Sequence, residues 1–183
     1  MNRKAALASA SFSLALAAIF VAFGSPLTAL GQQDSKLVEI VRNATEHYQN
    51  VADLPPGYGA VLGCVSGPDH GAMGVHYVNL SLVNGGTLLG NTQNLDPTKP
   101  QALIYEPQAN GEMKLVAVEY IILAGALPAN ATPQVEAHLM QFIDSPNRYG
   151  IPGGFFELHV WAWKDNPEGS FADWNNHVSC DHQ

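Results

Sequence analysis

Cationic side chains are scarce in this chain. Its 183 residues carry eight Lys and Arg against sixteen Asp and Glu, and charged residues of either sign make up only 13% of the total. A surface with that balance repels phosphate backbones, which argues against nucleic acid as a partner. It also lacks the basic cluster that holds a protein to an anionic membrane surface. Cysteine is limited to Cys64 and Cys180. The common catalytic signatures are missing. There is no Gly-x-Ser-x-Gly elbow, which disfavours an α/β-hydrolase. There is no phosphate-cradling Gly-x-x-x-x-Gly-Lys loop and no His-Glu-x-x-His helix, and Gly57-Tyr58-Gly59 is too short to imply a nucleotide. No internal repeat or heptad is visible. After residue 31 no apolar run approaches the length that spans a bilayer.

The one long apolar run lies at the start. Arg3 and Lys4 precede an uncharged stretch from Ala5 to Phe23, Gly24 and Pro26 break it, and Ala29-Leu30-Gly31 offers small residues. This is the basic, apolar and small-residue order of a secretory signal. A membrane anchor is the alternative, but Ser9, Ser11 and Ser13 dilute the run. The expected arrangement is a signal peptide over residues 1–31 and a single exported domain over 32–183, a usual domain size with enough chain to bury a core. Cleavage after Gly31 removes two cations and no acid, so the exported domain is more acidic still. With no second apolar run, no membrane association is expected once the signal is gone. In an oxidising compartment an even cysteine count reads as a disulfide, here Cys64 to Cys180. The alternative is a pair of metal-binding thiolates with His177 and His182 nearby.

Along the domain, Asp34 or Ser35 can cap a helix from Lys36 to Val51, whose Leu37, Ile40, Val41, Ala44, Tyr48 and Val51 fall on one stripe. Leu54-Pro55-Pro56-Gly57 stops it. Strands follow at Tyr58–Val65, Val75–Val83, Ala102–Glu106, Lys114–Leu123 and Phe155–Lys164, and Asn110-Gly111 marks a hairpin between the third and fourth. A second helix is expected over Pro133–Ile143, with Thr132 as its cap and Pro133 as its first residue. The predicted fold class is therefore α+β: an N-terminal amphipathic helix packed on a curved, mostly antiparallel sheet or small barrel of about five strands. Several strands are apolar on both faces, which favours a sheet covered on both sides.

All seven histidines follow residue 31. His76 lies in Gly74-Val-His-Tyr-Val78, Glu119 in Val118-Glu-Tyr120, and His159 in Glu157-Leu-His-Val-Trp161. Each is a titratable group in the middle of an apolar strand, so each needs a partner. If the strands point them inward together, they form a two-histidine, one-carboxylate set. That set suits a divalent transition metal with open positions for substrate. Glu157 shares a strand face with His159 and could serve as a fourth ligand or orient an imidazole. The alternative is core histidines held by hydrogen bonds and a glutamate paired across the sheet. His70, Met73 and His76 could instead bind copper through imidazole and thioether, or form a Gly-rich turn with Met73 filling the core. Trp161, Trp163 and Trp174 read as core anchors in preference to sugar-stacking surface residues. Asp165-Asn-Pro-Glu-Gly169 reads as a turn.

The segments Gly71–Asn79, Tyr105-Glu106-Pro107 with Val118-Glu119-Tyr120, and Leu158–Lys164 through Val178-Ser-Cys180 together resemble a group of small exported bacterial proteins. The resemblance implies export and a single domain and assigns no catalytic residue. From the residues themselves the expected function is an exported metal-dependent enzyme acting on a small organic molecule. His76, Glu119 and His159 would hold the metal, and Tyr77, Tyr120 and Trp161 would line the pocket. The alternative is a barrel-like binding protein for an apolar or aromatic ligand.

Overall fold

The computed structural model describes residues 35–183 apart from Pro68, Asn91 and Arg148. The chain divides into a unit Met1–Gly31 and a unit Gln32–Gln183. The expected signal segment, residues 1–31, and the candidate cap Asp34 lie outside the described residues.

Helix α1 spans Lys36–Thr45. Ser35 caps it, its hydroxyl accepting the Val38 N–H at 3.3 Å. This satisfies one of the donors that every helix start leaves open. Leu37, Val38 and Val41 face inward and are buried against the sheet. Each such side chain removed from water is worth roughly 1.5–3 kcal/mol, so Val41→Asp would detach the helix. The helix ends six residues earlier than the stripe to Val51 suggests, and two single 3₁₀ turns, Glu46–Tyr48 and Val51–Asp53, continue the chain. At its end the Thr45 hydroxyl donates back to the Val41 carbonyl at 2.7 Å and accepts from the Trp163 indole at 3.0 Å.

Nine strands follow: β1 Tyr58–Gly67, β2 Gly71–Asn79, β3 Asn94–Leu95, β4 Ala102–Pro107, β5 Met113–Leu123, β6 Gln134–Val135, β7 His138–Leu139, β8 Gln141–Ile143 and β9 Phe155–Val160. Six of them form one antiparallel sheet in the order β1-β2-β4-β5-β9-β8, curled into a half-barrel. β3, β6 and β7 form a separate small sheet. Strands β4 and β5 are joined by a turn in which Gly111, at φ 82°, donates to the Gln108 carbonyl at 2.9 Å. This left-handed position favours glycine.

β4, β5 and β9 are buried almost end to end, because both sheet faces are covered. One face carries Leu103, Tyr105, Leu115, Val118, Tyr120, Leu158 and Val160 and meets α1. The other face holds two smaller apolar groups, Ala72, Ile104, Ala117 and Trp161 in one and Val78, Ala102, Ile121 and Phe155 in the other.

Three expected boundaries are corrected. The helix over Pro133–Ile143 is absent, and the segment folds as β6, a tight turn, β7 and β8. Glu136 and Ala137 take φ of 44° and 64°, the two left-handed positions of a two-residue hairpin turn, and Val135 pairs with His138. Val135, Leu139, Met140 and Ile143 imitate helical spacing by accident. Thr132 does not cap a helix, and its N–H donates to the Gln93 side chain at 2.6 Å. β2 ends at Asn79, whose side chain accepts from the Ser81 N–H at 3.1 Å and the Ser81 hydroxyl at 2.6 Å, a local turn that competes with the strand. β9 ends at Val160, where the Trp161 N–H leaves the ladder for the Ser170 carbonyl at 2.9 Å.

Cys64 and Cys180 form a disulfide, with Cα atoms 5.6 Å apart. The thiolate-ligand alternative is thereby overturned. The same end of the chain is held by Glu106, which accepts from Lys164 Nζ at 2.7 and 2.9 Å and from the Ser179 N–H at 3.1 Å. No helix among the described residues is long and apolar enough to cross a membrane.

Candidate metal centre

The register of the half-barrel decides which side chains meet. Glu119 on β5 pairs with His159 on β9, Ala102 on β4 pairs with Glu119, and Val78 and His76 on β2 pair with Ala102 and Ile104. Alternation along each strand then puts His76, Glu119 and His159 on one face. This is the face away from α1, between the two smaller apolar groups. β4 lies between His76 and Glu119, with Ile104 opposite His76 and Ala102 opposite Glu119 on the same face. His76 Nε2 lies 3.4 Å from Glu119 Oε2. The His76 and His159 rings meet edge-on with centroids 6.0 Å apart. One ligand atom from each of the three residues lies within 4.8 Å of the others, and the residues are 2%, 2% and 0% exposed.

These separations can be compared with a coordination sphere. Bonds of about 2.0–2.2 Å to one ion place neighbouring ligand atoms about 2.8–3.1 Å apart at octahedral angles and about 3.3–3.6 Å apart at tetrahedral ones. The His76 to Glu119 distance of 3.4 Å is already there. It is longer than the usual N–H···O hydrogen bond. Two neutral nitrogens and one carboxylate form a donor set suited to a divalent transition metal.

The centre faces a cavity of about 360 Å³. His76 and Glu119 supply its polar wall, and Val78, Val83, Ile121, Phe155, Tyr149 and Ile151 are among the side chains that line the rest. Its mouth is shaped by an irregularity in β1. Ala60 pairs with Tyr77 and Cys64 with Val75, so Val61, Leu62 and Gly63 all stand opposite His76 alone. Such extra residues bend a strand away from its neighbour, and the partly exposed Val61 and Leu62 line the opening. The bulge is fixed beside the disulfide: the Cys64 N–H donates to the Gln183 side chain at 2.7 Å. A Cβ on Gly63 would lie 2.7 Å from the Gln183 amide nitrogen.

His159 also belongs to a second group, with Glu157 and Asp173. Its Nδ1 lies 3.8 Å from Asp173 Oδ1. Glu157 and Asp173 border another cavity of about 250 Å³, together with His138 and Gln141. Asp173 sits in the C-terminal loop, whose shape is set by bonds on either side of it. The Trp161 indole donates to the Ala172 carbonyl at 2.6 Å, the Asn166 amide donates to the Trp174 carbonyl at 2.8 Å, and Asn175 exchanges backbone bonds of 3.2 Å with Ala72. The Trp161 ring stacks beside His159 at 6.3 Å, 15° from parallel.

The expected pocket lining is corrected. Tyr77 and Tyr120 are strand neighbours of His76 and Glu119, so they point to the opposite face. Tyr77 meets Tyr105 at 5.2 Å, and the Tyr120 hydroxyl donates to the Pro97 carbonyl at 2.6 Å. Burial there pushes the Tyr120 hydroxyl far above its ordinary pKa. Trp161 stacks on His159 without lining the cavity. Trp163 crosses to the helix side, although strand alternation would put it on His159's face. Trp174 packs under Gly67, where a Cβ would meet its ring at 3.2 Å. His70 is exposed in the turn after β1, the Met73 sulfur accepts from the Tyr149 hydroxyl at 3.4 Å, and His76 faces Glu119. Sequence reasoning missed Asp173 and the true lining residues. An acid inside Phe171-Ala-Asp-Trp174, close after the His159 strand, was the available signal for the first.

In comparison with known proteins, no family model, no curated protein and no solved structure matches this chain.

Proposed function

We propose that this protein is an exported, metal-dependent enzyme acting on a small, largely apolar organic molecule. The observation that carries this reading is the meeting of the buried His76, Glu119 and His159 within 4.8 Å, with His76 and Glu119 on the wall of an otherwise mostly apolar cavity. Residues from three strands converge there, so sequence proximity does not explain the meeting. A divalent transition metal would be held by these three residues. Its chemistry is that of a Lewis acid, polarising an oxygen of a bound molecule. The apolar walls take the remainder of the molecule and strengthen the field at that oxygen. The Cys64–Cys180 disulfide fits an oxidising compartment, which supports export.

A second reading, a binding protein for an apolar ligand, is favoured by the exposed apolar side chains around the opening, Val61, Leu62 and Leu80. One experiment separates the two. Untagged protein is dialysed against Zn²⁺ or Co²⁺, and uptake of the neutral dye N-phenylnaphthylamine is measured with and without the ion. Metal at one ion per chain, with dye binding altered by the ion, supports the enzyme reading. Dye binding with no retained metal overturns it in favour of the binding protein.

A further inference from the structure

We propose that Asp173 is a positioning residue for the metal centre: its carboxylate holds His159 with Nδ1 protonated, so that Nε2 presents its lone pair toward His76 and Glu119. The proposal rests on the metal reading above and deepens it. A neutral imidazole carries one proton, and a ligand nitrogen must be the other one. Whatever accepts the N–H therefore decides which nitrogen can bind. In this protein Asp173 Oδ1 lies 3.8 Å from His159 Nδ1, with Glu157 in the same group. A carboxylate in that place fixes the tautomer, orients the ring and raises the basicity of the opposite nitrogen.

The loop around Asp173 is built for placement. Its two flanking carbonyls, on Ala172 and Trp174, are each held by a side-chain donor. The donor to Ala172 is the indole of Trp161, the ring that also stacks beside His159. One tryptophan thus sets the imidazole plane and the position of the loop together. Further along, Asn175 is tied to Ala72 on β2, the strand that carries His76. The present 3.8 Å lies outside hydrogen-bond range. Asp173 is the half-buried member of the group, its side chain 26% exposed. Glu157, on His159's own strand, is completely buried in the same group.

The test uses Co²⁺, followed by calorimetry and by visible absorption, with Asp173→Asn and Asp173→Glu beside the unaltered protein. The unaltered protein should bind one ion per chain. Asp173→Asn should bind one ion about 10–100-fold more weakly, with a changed absorption band, and Asp173→Glu should recover most of the affinity. Nitrogen NMR of the metal-free protein should find the His159 proton on Nδ1, and less of it there in Asp173→Asn. Urea midpoints of the metal-free proteins should agree, which separates positioning from folding. Equal affinity in Asp173→Asn, with an unaltered tautomer, would overturn the proposal and leave the metal centre standing. Two ions in the unaltered protein and one in Asp173→Asn would also overturn it, because Asp173 would then be a ligand. No ion in the unaltered protein would overturn the metal reading itself.

Discussion

Opening the Cys64–Cys180 bridge perturbs stability and site together. The two cysteines are 116 residues apart, and the loop-closure estimate for a ring of that size is about 4.8 kcal/mol at 25 °C. The measured loss should be smaller, about 2–4 kcal/mol, because the opened unfolded chain keeps residual structure and is more compact than a random coil. Ser179 still donates to Glu106, Asn175 still pairs with Ala72, and Gln183 still meets the Cys64 N–H. Contacts of that kind keep the C-terminal segment ordered in the folded variant, so the effect of opening the bridge falls on the unfolded state. At roughly 2–4 °C per kcal/mol for a domain of this size, the double variant Cys64→Ser/Cys180→Ser should melt about 10 °C lower. Urea unfolding of the two proteins, with thiol labelling of the denatured parent to show both cysteines oxidised, measures the effect. A difference below about 1 kcal/mol would refute the reasoning, since the long-loop contribution would then be missing. The bridge also pins the end of the Val61–Gly63 bulge at the cavity mouth, so the variant should take up N-phenylnaphthylamine faster than the parent.

Three further outcomes follow from the geometry. Val83→Trp places a large ring in the 360 Å³ cavity that Val83 lines, and should abolish dye uptake while metal binding persists, read by fluorescence and elemental analysis. Burial, with the neighbouring Tyr48, raises the Tyr58 hydroxyl to about 12, and burial raises Tyr105 and Tyr120 further. The folded protein therefore keeps these phenols neutral at a pH where unfolded ones ionise, near 10. Their contribution is complete below pH 10; that of Tyr58 is lost as pH rises through 12 and those of Tyr105 and Tyr120 at higher pH still, and urea unfolding across pH 9–11 should show the onset as falling stability. Ala137 holds φ of 64°, so Ala137→Gly should stabilise by about 1 kcal/mol, measured by the urea midpoint.

Much of the sheet was legible because its strands are long and rich in β-branched and aromatic residues, and because turn residues bound them. The convergence of His76, Glu119 and His159 was legible as a consequence of that, since titratable residues inside apolar strands need company. What failed was parity and short-range pairing. Tyr77 and Tyr120 were placed beside the residues they follow, although a strand turns every second side chain away. Pro133–Ile143 carried apolar residues at helical spacing, and the hairpin that overrode it has no glycine at its left-handed positions to announce it. Asp173 was not legible because a loop, with no period of its own, delivers it to His159. The bulge at Val61–Gly63 depends on register, which no single strand's sequence records.

The central claim is tested most directly by metal content. Untagged protein, loaded with Zn²⁺ and dialysed, should retain one ion per chain. His76→Ala should retain none, and it should also melt below the metal-free parent, because the change removes the imidazole 3.4 Å from the buried Glu119 carboxylate. Retention of no ion by the parent, or undiminished retention by His76→Ala, would contradict the account.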